Sequence, residues 1–170
     1  MGKSLTPTAT PSSDTQSGNR NISRKEAEKN PIIAIQATMF SKVFPGKVLA
    51  KLVDNRTVLD FLITRIKEAN LVNKIAIVTS DLDSDLPIVE EGKRLGVEVI
   101  RGPHDDLIKR FIFAADELSA NYLIPIPGSN PLLDLEALDN LLDAHHSGDW
   151  EYSFNDHFDG VILGTGSEIV

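Results

Sequence analysis

Two kinds of segment alternate along the chain after Pro31. Short, continuous apolar runs are typical of strands buried on both faces, and stretches with an apolar stripe at helical spacing are typical of amphipathic helices. The sequence predicts strands at 32–35, 74–79, 97–100 and 122–126, and helices within 58–69, 86–95, 107–118 and 135–142. This alternation predicts an α/β fold, a Rossmann-like and mainly parallel sheet flanked by helices.

The first 30 residues have a different composition. They are rich in Ser, Thr, Pro, Asn and Gln and contain almost no large apolar side chains. Such a segment buries too little surface to offset the entropy lost on ordering. We therefore expect a disordered tail at 1–30 and a folded domain at 31–170.

Composition and charge exclude several functions. The formal net charge is -8 and the pI is about 4.9, so binding of nucleic acid through bulk charge is not expected. The chain has no cysteine, which excludes disulfides and cysteine-based metal or nucleophile chemistry. It has no apolar run of membrane-spanning length and no secretory leader pattern. We expect a cytoplasmic protein without a membrane span.

Ligands of parallel sheets bind at the carboxyl ends of the strands, which directs attention to the loops at 36–47, 79–85, 101–106 and 127–134. In the first loop, Pro45 stiffens a turn, Gly46 permits close backbone approach, Lys47 supplies a charge, and Ser41 supplies a donor beside the loop amides. Such a loop can hold a triphosphate. The alternative is an ordinary strand-to-helix loop with an exposed lysine.

The second and third loops combine hydroxyl and acidic side chains. Those of 79–85 suit the hydroxyls of a ribose, although Ser84 or Asp85 can instead cap the following helix. In the third loop, Asp105 or Asp106 is predicted to cap a helix, and His104 is predicted to be a solvated surface residue.

The fourth loop reads Pro-Gly-Ser-Asn-Pro from Pro127 onward. A stiff backbone of this kind can lie against a nucleotide. It can equally be a rigid turn before a helix capped by Asp134.

Taken together, the loops resemble those of the cytidylyltransferase family, which includes CMP-sialic acid synthetases and spore-coat polysaccharide proteins. The family's opening reads roughly Ile-Ile-Gln-Ala-Arg-Met-Gly-Ser-Thr-Arg-Leu-Pro-Gly-Lys-Val-Leu, and it corresponds here to 33–49. Further ordered matches follow at 78–81, 87–90, 95–97, 101–106 and 128–134.

The resemblance implies a nucleotide-diphospho-sugar transferase (GT-A-like) fold and the transfer of CMP from CTP to a sugar with the help of Mg²⁺. It implies Lys47 as a catalytic residue, which binds the phosphates. The implied nucleotide-binding residues are Gln36, Ala37, Ser41, Lys42, Gly46, Lys47, Thr79, Ser80, Asp81, Arg101, Pro127 and Gly128. The implied partners are a nucleotide and a small sugar, and dimers are common among the proteins that the chain resembles.

The departures from the family pattern fall on the catalytic parts. Thr38 and Val43 replace two arginines, Phe40 replaces a glycine, and Ser129 and Ile162 stand where the family has metal-binding aspartates. Serine and isoleucine cannot replace anionic ligands of Mg²⁺, so the metal ligands stay unassigned. Two alternatives to an active transferase remain. One is an inactive nucleotide- or sugar-binding relative with a regulatory or scaffold role. The other is a glycosyltransferase-like domain whose metal is held by acidic residues at 81, 83 and 85.

Overall fold

The computed structural model describes residues 31–69, 71, 74–148, 150–155 and 167–170. The tail expected at 1–30 and the replaced position Ile162 lie outside the described residues.

Four parallel strands form the central sheet, as the sequence predicts. They are β1 (Ile32–Gln36), β2 (Ile75–Ser80), β3 (Glu98–Gly102) and β4 (Leu123–Pro127), in the spatial order β3-β2-β1-β4. In the register, Gln36 lies beside Val78 on one side and beside Pro127 on the other. Gly102 lies beside Ser80, so the four strands end within about two residues of one another, which gathers their loops at one edge.

Helices cover both faces of the sheet because the strand residues alternate between two apolar clusters. The helices are α1 (Val58–Ala69), α2 (Leu86–Leu95), α3 (Leu107–Leu118) and α4 (Leu135–Ser147). One face carries Ile33, Ile35 and Ile77 against α1, α2 and α4, and the other carries Ala34, Ala76 and Val78 against α3. No helix in the described part of the chain is both long and apolar enough to span a bilayer.

Three of the predicted helix caps are confirmed. Gly96 ends α2 in the left-handed conformation, with φ of 62°. Asp106 and Asp134 cap α3 and α4, since their side chains accept hydrogen bonds from the amides of Lys109 and Ala137, both at 3.0 Å. The bond from Lys109 also lowers the pKa of Asp106. These signals are local, which is why the sequence predicts them well.

A short antiparallel pair, β5 (Ser153–Phe154) with β6 (Glu168–Ile169), was not predicted. It lies at the β4 edge of the sheet, where Leu123 and Val170 exchange two backbone hydrogen bonds. Even-numbered residues of β4 bond to β1, as the bond from the Gly128 amide to the Gln36 carbonyl shows. The backbone groups of the odd-numbered residues, which include Pro125 and Pro127, therefore point away from β1, toward the outer edge of the sheet.

An ion-pair network joins α1 to α2. The Arg94 guanidinium donates to Glu91 at 2.8 Å and to Asp60 at 2.6 Å, and the Thr57 hydroxyl donates to Glu91 at 2.6 Å. These donors, Arg94 first, lower the pKa of Glu91 below its ordinary value of 4.5. The same carboxylates raise the pKa of Arg94.

In the Glu91→Gln variant, the free energy of unfolding is expected to depend less on pH than in the wild type. A carboxyl whose pKa is lowered by folding stabilises the protein above its unfolded-state value and loses that contribution as the pH falls. Since Arg94 is half exposed, the loss is about 1 kcal/mol or less. Urea unfolding at about pH 6 and about pH 3 measures it. Glu90→Gln, which removes only the exposed pair with Lys93, is the control. An equal acid response of wild type and Glu91→Gln would contradict the assignment.

Candidate functional site

A cavity of about 460 Å³ opens where β1, β2 and β3 end. Each strand end contributes polar side chains to its wall, as expected at the carboxyl edge of a parallel sheet. The residues that line the cavity include Gln36 and Phe40, Ser80 and Asp85, and Asp105 and Arg110. Five of these six lie within loops that the sequence singles out, and Arg110 is the exception.

Asp85 is the side chain that ties the first two loops together. Its carboxylate is 1% exposed and accepts hydrogen bonds from the Met39 amide at 2.7 Å, the Thr79 hydroxyl at 3.2 Å and the Ser80 amide at 3.3 Å. The Ser80 hydroxyl donates a fourth, very short bond. A buried carboxylate with four donors is fully satisfied, so it fixes the first loop on the end of β2.

The predicted capping of α2 by Asp85 or Ser84 is wrong. Asp85 occupies the position before the helix, but no side chain makes a capping hydrogen bond there. Its carboxylate instead accepts hydrogen bonds from the end of β2 and from the Met39 amide. Pro87, in the first turn of α2, lacks an amide that would need a cap.

The first loop is closed by its own backbone. The Gly46 amide donates to the Met39 carbonyl at 2.8 Å, the Phe44 amide to the Ser41 hydroxyl at 3.2 Å, and the Lys47 amide to the Phe44 carbonyl at 3.3 Å. Gly46 has φ of 71°, which favours glycine. The amides of Phe44, Gly46 and Lys47 are thus already bonded within the loop and are not free to bind a triphosphate.

The turn of this loop leaves a run of amides unbonded. Among the described residues, no acceptor receives a hydrogen bond from the amides of residues 40–43. Exposed amides of this kind are free to donate to water or to an anionic ligand. Lys42 and Lys47 are exposed beside the run, outside the cavity wall, and neither makes an ion pair with a described residue.

The predicted residues of the second loop have separate placements. Ser80 lines the cavity, whereas the Thr79 side chain is fully buried against Asp85. Asp81 is exposed and lies 3.5 Å from His104. His104 is itself half exposed, which confirms the predicted surface position.

Arg101, predicted to contact a nucleotide, holds backbone. Its guanidinium donates to the carbonyls of Ser80 at 3.3 Å, Asp81 at 2.7 Å and Leu82 at 3.1 Å. Arg101 therefore fixes the turn that follows β2 from the neighbouring strand β3.

Gly128 permits the closest approach between two of the predicted loops. Its amide donates to the Gln36 carbonyl at 2.7 Å, and a Cβ at this position would lie only 2.8 Å from the same oxygen and 3.3 Å from the Ala37 Cβ. Ala37 is buried beneath this contact, while Pro127 is exposed. The fourth loop thus lies directly against the start of the first.

Sequence reasoning missed Arg110, a buried arginine in the cavity wall. Its side chain is 3% exposed, and its guanidinium donates to the carbonyls of Pro103 at 2.9 Å and His104 at 2.8 Å. A Cβ at Gly102 would lie 3.0 Å from the Arg110 Cγ, so the glycine makes room for the arginine's stem. The signal available in the sequence was a charge in the first turn of a helix next to a strand-end glycine.

The described residues do not form a metal site built from three protein ligands. No three His, Asp or Glu side chains within the described ranges converge as metal ligands require. The suggested acidic triad at 81, 83 and 85 is divided, because the first two side chains are exposed and Asp85 is buried under four donors. The glycosyltransferase-like alternative loses its metal site on this geometry.

A sequence model described as Cytidylyltransferase matches residues 32–162. Among curated proteins, an uncharacterized protein of Methanocaldococcus jannaschii is 35% identical over 140 residues, covering 79% of this chain and 54% of that protein. The spore coat polysaccharide biosynthesis protein SpsF of Bacillus subtilis is 32% identical over 127 residues, covering 72% of this chain and 52% of that protein. The chain spans about half the length of these two relatives.

Solved structures share the fold. A cytidylyltransferase from Leptospira borgpetersenii superposes with a TM-score of 0.72 at 27% identity, covering 84% of this chain and 59% of its own. A CMP:2-keto-3-deoxy-manno-octonic acid synthetase complexed with CTP superposes with a TM-score of 0.60 at 19% identity, covering 69% of this chain and 48% of its own. The second likeness bears on the fold alone and agrees with the predicted nucleotidyltransferase architecture.

Proposed function

This chain belongs to the cytidylyltransferase family, and from that premise we propose that it transfers CMP from CTP to a sugar in the synthesis of a surface polysaccharide or glycoconjugate. The observation that carries the proposal is the cavity at the strand ends with the unbonded amides of residues 40–43 beside it. A cavity with unbonded amides beside it suits a nucleoside that carries phosphates.

In the proposed complex, the phosphates of CTP lie on the amides of residues 40–43 with the ammonium groups of Lys42 and Lys47 nearby. Gln36 and Ser80, the two predicted nucleotide-binding residues that line the cavity, face the nucleoside. A sugar hydroxyl oxygen forms a bond to the α-phosphorus, the bond from that phosphorus to the bridging oxygen breaks, and pyrophosphate leaves. The hydroxyl proton passes to solvent. Cationic and amide donors stabilise the charge that develops in this step.

The Mg²⁺ of the proposed reaction would be held mainly by the phosphates of CTP, because the described side chains form no cluster of three metal ligands. Several family positions that bear charge are also replaced, namely Thr38, Val43 and Ser129. These replacements favour a second candidate, a non-catalytic relative that binds a nucleotide or a sugar in a regulatory or scaffold role. A cytoplasmic location and a homodimer are further parts of the proposal.

Calorimetry with CTP and MgCl₂, followed by an assay for pyrophosphate release with candidate sugars, tests the proposal. Binding of CTP with release of pyrophosphate supports the transferase. Binding without release, with any sugar offered, assigns the chain to the second candidate. Failure to bind CTP, ATP, GTP or UTP, together with failure to bind any of the sugars offered, overturns both.

Replacing Lys47 by alanine is expected to weaken CTP binding by about five- to tenfold, as the loss of one partly exposed ammonium–phosphate contact would. The same titration of Lys93→Ala, an exposed lysine of α2 paired with Glu90, serves as the control. We expect the control to bind CTP as the wild type does. Equal affinities of Lys47→Ala and the wild type would remove Lys47 from the phosphate site.

A further inference from the structure

Arg110 is a buried cation for which the described residues provide no counter-charge. Two of its nitrogens, Nε and Nη2, donate to backbone carbonyls, which are neutral. No carboxylate within the described ranges lies at ion-pair distance from it. Burying a charge without an opposite charge is costly, and removal of water strengthens its attraction for an anion.

One nitrogen of the guanidinium has no hydrogen-bond partner among the described residues. The Nη1 atom makes no hydrogen bond to a described residue, and the side chain forms part of the cavity wall. The two occupied nitrogens hold the fork rigid against the loop at 103–104. An arginine fixed in this way loses little further entropy when it binds an oxyanion.

Two carboxylates share the cavity wall with Arg110, and they differ in their effect. Asp85 is held by four neutral donors, which stabilise its charge without cancelling it, and it makes no ion pair with Arg110. Asp105 is exposed and accepts no hydrogen bond from a described residue. Its charge faces the same space as Arg110 and repels an anion there, although solvent screens it.

We propose that this cavity binds one oxyanionic group of a ligand, a carboxylate or a phosphate, and that Arg110 is the residue that holds it. The class of the ligand rests on the function proposed above. The oxyanionic group belongs either to an acidic sugar acceptor or to the nucleotide. A phosphate and a carboxylate both carry oxygens that accept a charge-assisted hydrogen bond from Nη1. Arg110 is thereby a specificity-determining residue for a charged over a neutral ligand.

The test titrates the protein with inorganic phosphate and, separately, with sodium acetate, and follows the Nε–Hε signal of Arg110 by NMR. Wild type is expected to show a saturable shift with at least one of the two anions, and the one that binds more tightly identifies the group. In Arg110→Met the affinity for that anion should fall by about tenfold or more, and in Arg110→Lys by a smaller factor, because lysine keeps the charge without the fork.

Two further variants separate this site from general effects of charge. Lys109→Met makes the same change of charge one residue away, at a side chain that is exposed and paired with Asp106, and it should leave the affinity unchanged. Asp105→Asn should tighten anion binding by about two- to fivefold, because it removes a repelling charge from the cavity wall. Should Arg110→Met fail to fold, the wild-type signal and the Asp105→Asn affinity still decide the question.

The proposal is overturned if neither anion moves the Arg110 signal, or if Arg110→Met binds the anion as tightly as the wild type. Its failure differs from failure of the proposed function. Tight CTP binding that is indifferent to Arg110 contradicts only this inference. Anion binding through Arg110 in a protein that binds no nucleotide contradicts only the transferase.

Discussion

Asp85→Ala lowers the free energy of unfolding by about 3–5 kcal/mol, the largest loss that we expect from a single substitution in this site. The reason is the number of groups left without a partner. The Met39 and Ser80 amides and the hydroxyls of Thr79 and Ser80 all donate to this one buried carboxylate. Two of these donors are backbone groups that cannot turn to solvent. Urea unfolding of the variant beside the wild type measures the loss.

Asp83→Ala is the matched control for Asp85→Ala. It removes an exposed carboxylate from the 3-10 turn Asp83–Asp85, which also contains Asp85. Its effect on the free energy of unfolding should therefore stay within about 0.5 kcal/mol. A loss from Asp85→Ala no larger than that of Asp83→Ala would show that the four hydrogen bonds contribute nothing to stability. CTP titration of Asp85→Ala, where it folds, should also show weaker binding, because the first loop would lose its anchor at Met39.

Gly128→Ala is expected to cost about 1–3 kcal/mol of stability and to displace the first loop from the fourth. The added Cβ would lie 2.8 Å from a backbone oxygen, that of Gln36, and 3.3 Å from the side chains of Ala37 and Ile35. Neither a backbone oxygen inside a sheet nor two buried side chains can move away cheaply. The hydrogen bond from the Gly128 amide to Gln36 would lengthen, and with it the cavity edge would shift.

Ser129→Ala changes the next residue of the same turn without adding an atom near β1. Its unfolding midpoint and CTP affinity should match those of the wild type. If Gly128→Ala unfolds at the same urea concentration as Ser129→Ala, the close approach between the loops is not a constraint on this fold.

The elements that sequence reasoning located correctly are those with local causes. The strands were found because they read as short, mostly apolar runs, and they were placed to within two residues of their observed ends. The caps at Asp106 and Asp134 were found because a cap acts on amides two or three positions away. The family resemblance rested on ordered loop motifs, and the match over residues 32–162 confirms it.

The interactions that sequence reasoning missed join residues that are distant in the chain. The hydrogen bond between Met39 and Asp85 spans 46 positions, so the local alternative, a helix cap, was the natural prediction for Asp85. Arg110 was overlooked because a charged residue beside an apolar helical stripe normally faces solvent. Its burial depends on the space above Gly102, which exists only once β3 and α3 are packed together.

The outward-facing prolines of β4 have a consequence for how the protein behaves at high concentration. An open sheet edge can recruit a strand from another molecule, and the first step toward aggregation is often such pairing. Beyond Leu123, which already bonds to Val170, the next two outward positions of β4 carry Pro125 and Pro127, and neither can donate a hydrogen bond. An incoming strand would find carbonyl acceptors but no amide donors at these two positions. The prolines therefore disfavour pairing with a strand of another molecule along this edge.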